Sequence, residues 1–70
     1  MNKPVEHVMQ YFTFDHLPDE LKPIAGECAG LAHSMVALCP ENPELTVGLR
    51  KLLEAKDAFV RAKVAQDSES

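Results

Sequence analysis

Apolar positions recur at helical spacing along most of this chain, and five prolines cut the pattern into segments. Val5, Val8, Met9 and Phe12 stand at i, i+3, i+4 and i+7, which predicts a short amphipathic helix over about 4–10. Tyr11 to Leu17 is aromatic and irregular, long enough for at most a short strand. Pro18-Asp19-Glu20 looks like a helix start, but Pro23 removes a backbone donor one turn later. A turn over 18–22 and a main helix from Pro23 to Leu38 follow. Leu21, Ile24, Cys28, Leu31, Met35 and Leu38 step by 3, 4, 3, 4, 3, a heptad-like seam. Ala25, Ala32 and Val36 widen it to roughly half the helix circumference at about 100° per residue.

Cys39 to Glu44 is a tight connector. Asn42 suits a helix cap, Pro43 a first helical residue, and Glu44 the positive end of the helix. A second long helix is predicted from Pro43 to Ala65, with Leu45, Leu49, Leu52, Leu53, Phe59, Val60 and Val64 on one arc. Two consecutive helices with a short connector predict an antiparallel hairpin. The expected fold is all-α, with a short N-terminal helix and aromatic segment (1–17), a helical hairpin (18–66) and a polar, fraying tail (67–70).

Size sharpens this picture. At 70 residues, a chain buries only roughly 60% of its unfolded surface and usually needs a staple, a metal or a partner. Cys28 and Cys39 lie eleven positions apart, roughly 16 Å along a helix, too far for a disulfide within it. His7, His16 and His33 have no metal-ligand spacing, and no metal or cofactor is expected. No phosphate-binding glycine loop or nucleophile motif occurs, so no enzyme is expected. There is no long apolar run, and MNKPVEHVMQYF does not read as a secretory signal; a cytoplasmic protein away from membranes is expected. Both long helices carry more apolar surface than a hairpin covers, which predicts a homo-oligomer.

Charge is divided unevenly. The formal net charge is −4. Residues 1–44 carry two cations and seven acids, while residues 45–66 carry five cations and two acids. A net acidic chain is ill suited to long nucleic acid, but a small anion needs few cations. Lys56 falls near the middle of the apolar arc of the second helix. It reads either as a snorkelling stem or as a cation held for a phosphate. Arg50, Glu54, Asp57 and Arg61 form a neighbouring stripe, either a solvated face with an Asp57–Arg61 pair or a second source of phosphate-binding cations. Gly26 and Gly30 lie on the polar side of the first long helix, where poor helix formers are simply tolerated or where a backbone or ligand comes close. Phe12, Phe14 and His16, next to Tyr11, either cap the core or offer faces for a base.

The stretch YFTFDHLP, followed by LAHSMVALCPENPELTVGLRKLLEAKDAFVRA, resembles the small phage sponge proteins of the anti-CBASS and anti-Thoeris family, which share a helical hairpin domain. The likeness runs from Tyr11 to Ala65 and is nearest to short actinobacteriophage members. It rests on Phe12-Thr13-Phe14, Leu31-Ala32, Leu38-Cys39-Pro40 and the run from Leu49 to Ala55. The resemblance implies a non-catalytic protein in the host cytoplasm. Such a protein sequesters cyclic di- or trinucleotides, or cyclic ADP-ribose-type signals, in pockets between the chains of a homo-oligomer, often a hexamer. It gives Phe14 the base-stacking position, where better-known members have Tyr. Their early Arg and Lys of the first long helix fall here near Ala25 and Glu27, so that phosphate contact is missing. The helical wheel offers Lys56, Arg50 and Arg61 in its place. The alternative is a small helical module that binds a host or phage protein.

Overall fold

The computed structural model describes residues 2–69, and the side chains of residues 2–65. It is all-helical: α1 (Lys3–Met9), a 3-10 turn (Gln10–Phe12), α2 (Lys22–Leu38) and α3 (Pro43–Glu69). No strand occurs among the described residues, and Tyr11 to Leu17 passes from the 3-10 turn into irregular chain. The predicted boundaries hold within a residue, except that α3 continues through the polar tail to Glu69. Ser70 lies outside the described residues.

Local chemistry explains each start. The Asn2 side-chain oxygen accepts from the Val5 backbone N–H at 3.0 Å, and Pro4 sits in the first turn of α1, where its missing donor costs nothing. Asn42 repeats the device for α3, accepting from the Leu45 N–H at 3.0 Å ahead of Pro43. α2 has no side-chain cap. Its entry is instead a turn in which the Leu21 N–H donates to the Pro18 carbonyl at 2.9 Å. Pro23 is accommodated because it stands in the first turn, where its missing donor has no helical partner to lose.

α2 and α3 lie side by side, and α1 with its 3-10 turn covers one face of the pair. The core joins Val5, Val8, Met9 and Phe12 to Cys28, Ala29, Ala32, Leu45 and Leu49. Burying each large apolar side chain contributes about 1.5–3 kcal/mol, so Val5, Val8, Phe12 and Leu49 dominate.

The buried face of α2 differs from the predicted seam. Ala25 and Ala32, expected at its margin, are fully buried, whereas Leu31 is 48% exposed and Leu38 77% exposed. The neighbours of α2 are α3 and the 3-10 turn, and the small side chains of Ala25 and Ala32 lie on the side they cover, which leaves the large leucines at the edge. On α3, Phe59 and Val64 likewise stay exposed. α3 has 27 residues against 17 in α2, so its last turns run beyond the end of its neighbour. The elongated body, 43 × 19 × 18 Å, reflects this overhang.

Candidate functional site

The segment after the 3-10 turn crosses α2 at its glycines. Thr13 is held by its own hydroxyl, which donates to the Gln10 carbonyl at 3.3 Å. A turn follows, in which the Leu17 N–H donates to the Phe14 carbonyl at 3.1 Å. These bonds place the Phe14 ring over Gly26: a Cβ built there would meet the ring edge at 3.6 Å. Beside Phe14 opens a cleft of about 420 Å³, with Gly26 and Gly30 in its floor and Asp15 and His33 at its rim. The volume lies within the range of small-molecule sites.

Phe12 is 3% exposed and belongs to the core, and it also borders the cleft. Phe14 is half-buried and lines the cleft. His16 is exposed and is not part of the cleft lining. Tyr11 is 51% exposed and packs edge-on against the His7 ring, with ring centres 5.7 Å apart.

The cations divide into two groups. Lys56 carries a largely buried stem, its side chain only 13% exposed. Its ammonium donates to the Tyr11 carbonyl at 2.8 Å and lies 3.9 Å from the Asp57 carboxylate. This contact ties α3 to the 3-10 turn, just ahead of Phe14. An ammonium has three donor hydrogens, so further capacity remains. Arg50 and Arg61 are exposed on the side of α3 turned away from Leu45 and Leu49. Within one protomer they do not join Phe14. Asp57 stands by Lys56 rather than pairing with Arg61, and a neighbouring pair links Lys51 to Glu54 at 3.7 Å.

His33 and Asp15 were not foreseen at the cleft. Gly26, Gly30 and His33 are spaced 4 and 3 along α2, one face of a helix, and that spacing is the signal that identifies His33. Asp15 follows only from the path of the chain after Phe14.

A second concavity, about 480 Å³, lies between α2 and α3 and is lined chiefly by apolar groups, among them Leu31, Met35, Leu45, Gly48 and Leu52. Cys39 is exposed at its connector end, while Cys28 is buried. Among the described residues, no three His, Cys, Asp or Glu side chains converge as a metal site, and no helix is long and apolar enough to cross a membrane. No family model, curated protein or solved structure matches this chain.

Proposed function

We propose that this chain is a phage immune-evasion protein that sequesters a cyclic nucleotide signal in the host cytoplasm without cleaving it. The ligand is a cyclic dinucleotide, a cyclic trinucleotide or a cyclic ADP-ribose-type molecule, and the working form is a homo-oligomer of hairpin-bearing chains, often a hexamer in the family that the sequence resembles. One observation carries the reading: the aromatic that the resemblance assigns to base stacking, Phe14, stands at an open cleft floored by two glycines. A base lying against Phe14 contributes about 1–3 kcal/mol by stacking, and Gly30, where a Cβ would meet nothing within 4 Å, leaves room beside the ring. Lys56 supplies a cation near the same segment, with donors to spare for a phosphate. Arg50 and Arg61 face away from the cleft of their own protomer, so they serve the cleft of a neighbouring copy. Nothing in this scheme asks for bond-breaking groups.

Calorimetry with a panel of cyclic nucleotides tests the reading. We expect heat of binding with at least one signal, its recovery intact after heat denaturation, and affinity roughly 5- to 150-fold weaker for Phe14→Ala. Absence of binding heat across the panel overturns the proposal, as does appearance of a cleaved product. The second reading, a module that binds a host or phage protein, is favoured by the apolar concavity between α2 and α3. Its signature is capture of a host or phage polypeptide in a pull-down whose eluate holds no nucleotide.

A further inference from the structure

α3 carries more apolar surface than the core covers. Leu45 and Leu49 point into the core and are buried. Gly48, Leu52, Ala55, Phe59 and Ala62 step by 4, 3, 4, 3 and form a stripe beside them; Gly48 and Leu52 line the concavity, and the stripe continues beyond it to Phe59 and Ala62. Phe59 is 56% exposed on it, although it is the largest apolar side chain of the helix. Gly48 is the other anomaly. It costs helix stability in mid-helix, yet nothing lies within 4 Å of where its Cβ would stand. No neighbour inside the protomer requires a glycine there.

We propose that this open face is where a second copy of the chain docks, with α3 antiparallel to its counterpart and Phe59 of each copy seated on Gly48 of the other. The proposal rests on the self-association in the reading above and names its surface. What selects a second copy as the occupant is the order of sizes along the stripe. A two-fold axis passing between positions 53 and 54 sets Gly48 against the partner's Phe59 and Leu52 against the partner's Ala55. Each large side chain then meets a small one, and the symmetry repeats the match at both ends. The 4,3 spacing is that of a helix–helix seam, which keeps both helices in register along its length. Leu31 of α2, 48% exposed and lining the concavity, flanks the seam.

The test is the mass in solution, by sedimentation equilibrium at micromolar concentration, of the wild type, Gly48→Phe, Phe59→Ala and the double variant. We expect an even number of copies for the wild type. A Cβ at position 48 meets nothing within 4 Å, so for Gly48→Phe we expect helicity by circular dichroism to be retained, while association weakens about tenfold or more because the partner's Phe59 loses its seat. Combining Gly48→Phe with Phe59→Ala interchanges large and small, and restores much of the association. A single-chain mass for the wild type overturns the proposal and leaves the face to a different protein. Association unaffected by Gly48→Phe, or a double variant no better than Gly48→Phe alone, overturns it equally. Calorimetry on the same samples keeps the two readings apart. Association without nucleotide heat sinks the sponge alone, and a monomer that binds nucleotide sinks this interface alone.

Discussion

Lys56 shows how one side chain serves more than one end of its length. Its methylenes lie in the apolar arc of α3, and its ammonium reaches the Tyr11 carbonyl at 2.8 Å, across 45 positions of sequence. The helical wheel made its central place legible. It could not supply the acceptor, because a backbone carbonyl has no signature in the side-chain pattern. We expect Lys56→Met, which keeps the stem and removes the donor, to cost about 1 kcal/mol in urea unfolding with an unchanged slope. Lys56→Ala loses packing as well and costs more. A Met variant as stable as the wild type would show that the carbonyl contact contributes nothing. Phe14 and Gly26 teach the same lesson. Each stood out alone in the sequence, one as an aromatic and one as a poor helix former, but only the turn after Thr13 brings them together.

Helix boundaries were readable because they are written in local chemistry. Asn2, Pro4, Asn42 and Pro43 satisfy or dispense with the first backbone donors of α1 and α3. The orientation of α2 was not readable in the same way. Periodicity ranks Leu31 and Leu38 above Ala25 and Ala32 by size, whereas burial depends on which side of α2 is covered by α3 and the 3-10 turn. A small residue at a close crossing is buried even though it contributes little apolar area itself. Ala32 is therefore the sensitive position of this helix. We expect Ala32→Leu, at a fully buried site, to destabilise by about 1–3 kcal/mol through overpacking, read as a lowered denaturant midpoint. Stability unchanged or raised in that variant would mean that the core is not closely packed around Ala32.

For the whole molecule, the thinness of the core sets the behaviour. Four of the nine residues in the core cluster come from the first 12 positions: Val5, Val8, Met9 and Phe12. Without them, α2 and α3 retain few buried large side chains, too few to offset the ordering entropy of the chain. Removal of residues 1–12 is therefore expected to abolish the cooperative thermal transition seen by circular dichroism. A truncated chain that still melts in a sharp transition would show that α2 and α3 are sufficient by themselves. The division into an N-terminal segment and a helical pair, natural from the prolines, is a division of sequence; the core crosses it.

That crossing also governs when the fold can form. α1 is synthesised first, but its partners are Leu45 and Leu49 of α3, and its outer fastenings run from the Asn2 N–H to the Glu41 carboxylate, 39 positions on, and from the Tyr11 carbonyl to Lys56. At roughly 5–20 residues per second on the ribosome, the first helix waits some seconds with its valines uncovered. A seven-residue helix is too short to persist alone in water over that interval. The nascent chain thus stays unstructured until α3 has largely emerged, and folding then closes the two distant parts of the sequence in a single late event.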